Sequence, residues 1–415
     1  MQSVLAKTRA FLTPTSSSAN IHDATSGKFR TEKDASSLFA KPDPKIDGED
    51  CLHDCASCTE SLPRKWEIDE EDELYGFVKG WETHLVIGTG KTDWVRDVTE
   101  ENGSLMQAVG NLGVELSNGK LMLSASDMPT TSDCGTIHEA WGMTEGKNGS
   151  TYGNEGKTKC LLLPRWEMVE GVGINEAKWL LDDVVSKSST NSTPLSKEHA
   201  TRTQAVQSSK PTQGQMVVQK EDEDVPDASG LSLHDNKPQP QNNGTANGSS
   251  NASDTNDDTI LTTHEPLIPR SIPAGVTMKP CPHKAVILMC SHGTRDWRCG
   301  KSAPILRREF ERHLRPLGLF RDFDDERPGG VGIYFINHVG GHKYSANVMI
   351  YRREGRDADG AAESSSEAVQ GIWLARVRPE DCENIVRYTV LQGKVIKPQR
   401  QLRGGFDRER GVLSW

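Results

Sequence analysis

Two pairs of metal-binding side chains, each placed directly after a short apolar run, constrain this chain more than any other feature. The cysteine pair follows the run 285–289 and the histidine pair follows the run 331–336. Short apolar runs bounded by polar loops predict buried strands. Loops that leave parallel strands at one end of a sheet bring distant side chains together. We therefore expect these four side chains to converge: Cys290, Cys299, His338 and His342.

The order of the elements in this part of the chain predicts an α/β fold. Pro304 is expected to open a helix after the first strand, with Leu306, Phe310, Leu314 and Leu317 on its apolar face. Two further strands and a helix from Pro379 to about residue 391 follow; the strands are expected at 347–351 and 372–377. A β-α-β-β-β-α order is typical of a thioredoxin-like sandwich, with both metal-binding loops at one end of the sheet.

A second, smaller α/β domain is expected before this one, over residues 46–185. Its predicted strands and helices lie at 84–87, 105–112, 120–124, 159–163 and 175–185. Residues 1–45 are rich in Ser, Thr and Lys and are predicted to be a disordered arm. Residues 186–260 have almost no large apolar side chains and are predicted to be a disordered linker. The C-terminal domain with its tail is therefore assigned to residues 261–415.

Composition and charge restrict the class of function. Hydrophobic residues make up 34% of the chain, the mean hydropathy is −0.61 and the net charge is −10. Such a surface does not favour nucleic acid or an anionic membrane, and no apolar run approaches the roughly 20 residues of a membrane helix. No secretory signal is evident, so the nine cysteines are expected to be reduced thiols or metal ligands. The cytoplasm is the expected compartment. Mitochondria are the alternative, because residues 1–22 carry Lys7 and Arg9 but no acidic residue.

The unequal spacing of the two pairs favours an iron–sulfur cluster. Cys290 and Cys299 are nine positions apart, whereas the cysteine pairs of closed zinc sites are usually separated by about two to four residues. Gly340 and Gly341 lie between the histidines and permit close approach of an inorganic cofactor. Two thiolates and two imidazoles suit a [2Fe–2S] cluster with cysteines on one iron and histidines on the other. Such ligation raises the reduction potential and makes it depend on pH.

Two alternatives remain open for the same residues. A structural zinc ion also accepts two cysteines and two histidines. Alternatively, Cys290 and Arg295 approach the Cys-X5-Arg loop of tyrosine phosphatases, but the spacing is one residue short and the histidines would be unexplained. His292 is a competing ligand, ranked below His338. No catalytic residues are assigned, and the expected function is single-electron transfer.

A separate group of thiols lies near the start of the N-terminal domain. Cys51, Cys55 and Cys58 surround His53 within eight residues. This spacing suits a second metal or redox site, although the sequence shows no obvious fourth ligand. The alternative is a loop that carries free thiols.

The metal-binding segments resemble a known family. Residues 290–300 (Cys-Ser-His-Gly-Thr-Arg-Asp-Trp-Arg-Cys-Gly) and 337–347 (Asn-His-Val-Gly-Gly-His-Lys-Tyr-Ser-Ala-Asn) resemble motifs of the sucrase/ferredoxin-like family, which includes fungal proteins of the actin-patches-distal and altered-inheritance-of-mitochondria types. The resemblance implies a C-terminal thioredoxin-like ferredoxin domain with a bis-histidinyl [2Fe–2S] cluster. It implies these ligands: Cys290, Cys299, His338 and His342. A weaker resemblance, through Thr92-Asp-Trp94 and the thiols near residue 51, implies a degenerate thioredoxin-like N-terminal domain.

The last three residues suggest a partner. Leu413, Ser414 and Trp415 resemble the tail by which client proteins are recognised by the cytosolic iron–sulfur targeting machinery. A free carboxylate and an indole on a flexible tail would anchor well in a pocket. The alternative is that Trp415 folds back on its own domain. The electron donor and acceptor are not identified by the sequence.

Overall fold

The computed structural model describes residues 29–130, 156–195, 269, 271–356 and 362–415. The described strands form one 14-stranded mixed sheet and a separate two-stranded hairpin. In chain order they are β1 (Arg30–Thr31), β2 (Thr83–Gly88), β3 (Glu115–Leu116), β4 (Gly119–Ser126), β5 (Thr158–Leu163), β6 (Glu167–Val172), β7 (Thr277–Pro280), β8 (His283–Cys290), β9 (Phe320–Arg321), β10 (Gly330–Ile336), β11 (Val348–Arg352), β12 (Glu354–Arg356), β13 (Ala362–Ser364), β14 (Gln370–Leu374), β15 (Leu402–Asp407) and β16 (Val412–Leu413).

The longest described helices cover one face of this sheet. In chain order the helices are α1 (Ala35–Leu38), α2 (Pro44–Asp47), α3 (Leu105–Leu112), α4 (174–185), α5 (Trp297–Leu314), α6 (379–390) and α7 (Pro398–Gln401). Buried side chains of α3, α4, α5 and α6 belong to a single apolar cluster with the strands beneath them. Of the helices in the described ranges, none has both the length and the apolar character that crossing a membrane requires.

The sheet contains the same four-stranded unit twice. In the first repeat the strand order is β6-β5-β2-β4, and in the second repeat it is β14-β11-β8-β10. In both repeats the first two strands in sequence are parallel and are connected by a helix, and an antiparallel pair and a closing helix follow. This β-α-β-β-β-α order is the thioredoxin-like topology that we predicted for the second repeat. The predicted α/β class is confirmed.

The two repeats join at the carboxyl ends of β4 and β10, which pair antiparallel through Ser126 and Ile336. Asp127 accepts a hydrogen bond from the backbone N–H of Phe335 at 2.8 Å, and Asn337 accepts one from Ala125 at 2.9 Å. The contacts are reciprocal, so the junction has approximate two-fold symmetry. Because both strands meet at their carboxyl ends, the loops that follow the strands of both repeats meet there too.

On the opposite face of the sheet, side chains of the first repeat pack against side chains of the second repeat. Trp81 of the segment before β2 contacts Trp373 of β14 with ring centroids 5.7 Å apart. On the same face, the buried His84 lies 3.0 Å from the hydroxyl of Tyr351. A second apolar cluster contains residues of both repeats. The sheet therefore encloses an apolar layer between the repeats.

Most predicted elements of the two repeats are present, but one difference changes the site. We predicted that Pro304 opens a helix, whereas α5 begins at Trp297 and contains Pro304 in its interior. Asp296 caps the helix by accepting a hydrogen bond from the N–H of Arg298 at 2.9 Å. Cys299 consequently lies in the first turn of a helix and not in a loop.

Both predicted disordered segments lie partly outside the described residues. Of the predicted arm, residues 1–28 lie outside the described residues, but β1 pairs with β16, and Leu38 and Phe39 are buried. Of the predicted linker, residues 196–260 lie outside the described residues, whereas Asn191 is buried and donates to the carbonyl of Trp81. β7 pairs with β6 of the first repeat. The proposed domain boundaries remain a prediction.

Candidate metal centre

The two cysteines reach the site from different elements of the second repeat. Cys290 is the last residue of β8, where it pairs in register with Ile336 of β10. Cys299 lies in the first turn of α5, and its Sγ lies 3.3 Å from the hydroxyl of Ser345. Both cysteines are buried. The strand end and the helix start thus form the inner wall of the site.

The histidines form the outer wall. His338 follows β10, and its Nδ1 lies 3.9 Å from the Sγ of Cys290. One ligand atom each of Cys290, Cys299 and His338 lies within 4.8 Å of the others. The Nδ1 of His342 lies 3.4 Å from the Nε2 of His338, but His342 is exposed and lies outside this close group of three. The structure therefore brings three of the four predicted ligands together, with the fourth adjacent to them.

Glycines shape the backbone between the histidines. Gly340 and Gly341 have φ values of +89° and +70°, in the left-handed region that other residues adopt at a cost. A side chain on Gly341 would also clash with the guanidinium of Arg403, whose Nη1 donates to the carbonyl of Gly340 at 3.0 Å. These features fix a tight turn that brings His342 back beside His338.

The two thiols have opposite protonation preferences. Their mutual hydrogen bond lowers the pKa of Cys299 to about 5, and contacts with His338 and Ser345 act in the same direction. The same hydrogen bond, together with burial, raises the pKa of Cys290. The position of Cys299 in the first turn of α5 also favours a negative charge. The site therefore favours a thiolate at Cys299, which is the form that binds metals.

His292 supports the site without joining the metal-binding group. Its Nε2 lies 2.9 Å from the carbonyl of Trp94, and its Nδ1 lies 3.3 Å from the backbone N–H of His338. A carbonyl can only accept and an N–H can only donate, so the ring carries its proton on Nε2. Burial lowers the pKa of His292 and favours this neutral form. Both nitrogens are used, which agrees with ranking His292 below His338 as a ligand.

Two basic residues beside the site have partners. Lys343 contacts Asp72 and also pairs with Asp69 at 3.2 Å. Arg298 pairs with Asp296 at 2.8 Å. The pairs lower the net positive charge of the rim. Arg403 also lies beside the site and is more deeply buried than Lys343 and Arg298. Burial lowers the pKa of Arg403 to about 10.

The donor set fits a thiophilic metal. Buried sulfur atoms, imidazole nitrogens and a glycine turn suit a [2Fe–2S] cluster, and they also suit zinc. The phosphatase alternative fits less well, because Cys290 is buried and its pKa is raised, whereas a nucleophilic cysteine is an accessible thiolate. The arrangement can bind a metal or cluster with its cysteine side inside and its histidine side towards solvent.

Some contributors were not evident from our reading of the sequence. Arg403, Ser345 and the loop after β2 all contact the site or its supports. A Gly-X-X-Asp-Trp pattern at 90–94 is repeated at 293–297 and could have revealed the loop of the first repeat. No such local pattern marks Arg403 or Ser345, which lie far from Cys290 along the chain.

A sucrase/ferredoxin-like family model matches residues 74–404, which includes both repeats. The chain belongs to the sucrase/ferredoxin-like family. The family resemblance predicted from the two metal-binding segments is thereby confirmed. No solved structure matches the chain.

Fungal relatives match part of the chain. Actin patches distal protein 1 of Saccharomyces cerevisiae is 41% identical over 115 residues, which cover 28% of this chain and 32% of the relative. Altered inheritance of mitochondria protein 32 of Clavispora lusitaniae is 35% identical over 115 residues, covering 28% and 33%. The protein of that name from Debaryomyces hansenii is 39% identical over 114 residues, covering 28% and 34%. The matched region thus spans about a third of the length of these relatives.

Proposed function

We propose that this chain is an electron-transfer protein that binds one [2Fe–2S] cluster through two cysteines and two histidines. The observation that carries the proposal is the convergence of two buried thiols and an imidazole, with a second imidazole beside them. The ligands are Cys290, Cys299, His338 and His342. When bound, the cluster supplies a one-electron redox couple.

The cysteines would hold the cluster on its buried side, and the histidines would hold it on the side that faces solvent. Cys290 and Cys299 lie in the interior and exclude water from their side of the site. His342 is exposed, so the histidine side offers the shortest route to a redox partner. His292 holds the backbone of His338, and Arg403 holds the glycine turn. Outer hydrogen bonds of this kind orient ligands and tune metal sites.

Electron paramagnetic resonance of the dithionite-reduced protein tests this function. We expect a [2Fe–2S] signal and about two irons per chain in the wild type. His338→Cys should keep a cluster but lower its reduction potential, because a thiolate replaces a neutral imidazole. A colourless protein with one zinc and no iron would instead favour the structural zinc alternative. A wild-type potential and pH dependence in His338→Cys would refute the ligand assignment.

The partners and the compartment are part of the same proposal. We infer an electron donor and an electron acceptor that dock at the histidine side. The cytosolic iron–sulfur targeting machinery is proposed to recognise Leu413, Ser414 and Trp415, which places the protein in the cytoplasm. The name of the second relative refers to mitochondria, and mitochondria are the alternative compartment.

The tail has an intramolecular role that bears on this partner. Leu413 lies in β16, and the Trp415 ring packs on Trp81 with centroids 4.4 Å apart. The Ser414 hydroxyl accepts a hydrogen bond from the N–H of Gly405 at 2.9 Å. The tail therefore packs against both repeats, with Ser414 on β15 and Trp415 on the segment before β2, and not on its own domain alone as our second interpretation stated. Recognition by another protein therefore requires β16 to detach from β15.

A further inference from the structure

A second group of potential metal ligands lies away from the proposed cluster. Sulfur, nitrogen and oxygen atoms of Cys55, His313 and Glu383 lie within 4.8 Å of one another. Cys55 belongs to the N-terminal thiol group, His313 lies in α5 and Glu383 lies in α6. The sequence showed no obvious further ligands near these thiols. The fold supplies them from residues that are far away in the chain.

The segment that carries Cys55 is fixed to both helices. Glu309 of α5 is buried and accepts hydrogen bonds from the N–H and hydroxyl of Thr59 at 2.9 and 2.8 Å. On the other side, the N–H of Cys55 donates to the carbonyl of Glu380 at 3.0 Å. Asn384 of α6 donates to the carbonyl of His53 at 2.7 Å. The backbone is therefore held in place before any ligand binds, which lowers the entropic cost of binding.

A cationic nitrogen already lies beside two of the three donors. The Nη2 of Arg312 lies 2.9 Å from the Nε2 of His313 and 3.5 Å from the Sγ of Cys55. The same atom lies 2.8 Å from a carboxylate oxygen of Glu309. Because a guanidinium only donates, the Nε2 of His313 offers its lone pair to this point. Cys55 and His313 are thus oriented towards a positive charge. The Arg312 side chain is 32% exposed, so it can move out towards solvent.

We propose that Cys55, His313 and Glu383 form a second metal site that binds a zinc-class divalent ion in exchange for the Arg312 guanidinium. Thiolate, imidazole and carboxylate are the usual zinc ligands. The Sγ of Cys55 and the Nε2 of His313 are 3.9 Å apart. Bonds of about 2.3 and 2.0 Å at a tetrahedral angle would place them about 3.5 Å apart, so only a small side-chain movement is required.

Water or Cys58 completes the four-coordinate site. Cys58 follows Cys55 at the Cys-X2-Cys spacing that zinc sites use. Its thiol donates to the carbonyl of Glu60 at 3.2 Å, so its recruitment requires a rotation. One carboxylate oxygen of Glu383 pairs with Arg387 at 2.8 Å, which leaves the second oxygen for the metal. This site does not depend on the proposed [2Fe–2S] cluster.

Alkylation of Cys55 in the full-length protein, followed by peptide mass spectrometry, tests the site. The readout is specific to Cys55, so metal bound at the proposed cluster site does not contribute to it. We expect Zn²⁺, compared with a chelator, to slow the reaction of iodoacetamide with Cys55. His313→Ala should raise the zinc concentration for half-protection by roughly 100-fold, since a direct ligand is lost. Arg312→Gln should lower that concentration by about tenfold, because the competing cation is removed. Glu383→Gln, which keeps the size of the side chain, is the second ligand variant if His313→Ala does not fold.

The controls separate the two metal sites. Cys290→Ser should leave the protection of Cys55 unchanged, even though it disrupts the proposed cluster. Absence of protection by Zn²⁺ in both the wild type and Arg312→Gln would show that the guanidinium is the permanent occupant, and would overturn the proposal. Equal protection of His313→Ala and the wild type would also overturn it.

Discussion

The two repeats have the same topology, but the proposed ligand residues occupy the strand ends of only the second. In the second repeat, Cys290 of β8 pairs in register with Ile336 of β10. In the first repeat, Gly88 of β2 pairs in register with Ser126 of β4. Gly88 is therefore the counterpart of Cys290. The residues two positions beyond each partner also correspond, so Met128 is the counterpart of His338.

Apolar packing in the first repeat fills the position that corresponds to the proposed metal site of the second. A Cβ atom on Gly88 would lie 2.9 Å from the carbonyl oxygen of Met128 and 3.1 Å from its Cβ. Met128 itself is buried. Glycine and methionine thus pack together where the second repeat has a thiol and an imidazole. The comparison teaches that the sheet and helices specify the fold, whereas a few strand-end residues specify the site.

The largest expected effect comes from replacing His338 and its counterpart Met128, one at a time, by leucine. His338→Leu should remove most of the iron from its expected value of about two per chain, because a direct ligand is lost. Met128→Leu should leave the iron content unchanged, since it conserves apolar volume in a repeat without ligands. Iron analysis and visible absorption measure both. Loss of iron in Met128→Leu would break the distinction between the repeats.

The next effect concerns the junction of the repeats, where Asp127 and Asn337 have reciprocal hydrogen bonds but different charges. Asp127 also pairs with Arg307 at 3.1 Å, and burial raises the pKa of Asp127 to about 7 against the influence of this arginine. Asp127→Ala should lower the free energy of unfolding by about 3 kcal/mol, because it leaves a buried N–H and part of a buried guanidinium unpaired.

Asn337→Ala provides the comparison and should cost only about 1–2 kcal/mol, since it removes one hydrogen bond and no charge. Urea unfolding at pH 7 measures both changes. Equal losses for the two variants would mean that Arg307 contributes nothing to the junction beyond the hydrogen bond. Arg307 also pairs with Glu311 at 3.0 Å, which keeps the cost for Asp127→Ala near the lower end for a buried ion pair.

An effect smaller than that of Asp127→Ala is expected for the pH dependence of the apolar layer between the repeats. Burial lowers the pKa of His84 to about 3, so the folded protein keeps this ring neutral. The unfolded chain protonates it near pH 6.5. Between these values the unfolded state binds more protons, so stability falls as the pH falls. This one group should cost about 2 kcal/mol between pH 7 and pH 5.

His84→Gln removes this titration and should flatten the dependence of stability on pH. Urea unfolding of the variant and the wild type at pH 7 and pH 5 measures the difference. His283 provides a comparison in the second repeat, because burial lowers its pKa to about 4. If His84→Gln loses as much stability on acidification as the wild type, then His84 is not kept neutral by the fold.

Periodicity was sufficient for elements that bury one continuous apolar face. The helix predicted at 105–112 coincides with α3, and the helix predicted at 175–185 lies within α4. The apolar side chains of α4 that face the core are buried: Ala177, Leu180, Leu181 and Val184. The predicted start of α5 was wrong because Gly300, Ser302 and Pro304 have poor helix propensity and indicated a later start. Packing of Cys299, Ala303 and Leu306 against the sheet outweighs that propensity.

Strand β15 could not be predicted from local sequence patterns. β15 contains Arg403, Gly404 and Gly405, which give no alternating apolar pattern and are unfavourable in strands. The glycines are required because Ser414 and Phe39 pack where side chains would project. Those neighbours come from the opposite ends of the chain, so no local pattern could have indicated them.

The sequence by itself determined the α/β class and the family, and it indicated two segments as the candidate metal site, because each depends on residues that are close together in the chain. The tertiary structure alone decided which groups surround them. It placed Cys299 on a helix, His292 behind His338 and Arg403 beneath the glycine turn. It also brought His313 and Glu383 to Cys55. These contacts join residues that are far apart in the chain, and they form only when the strands pair. Local sequence spacing therefore cannot predict them.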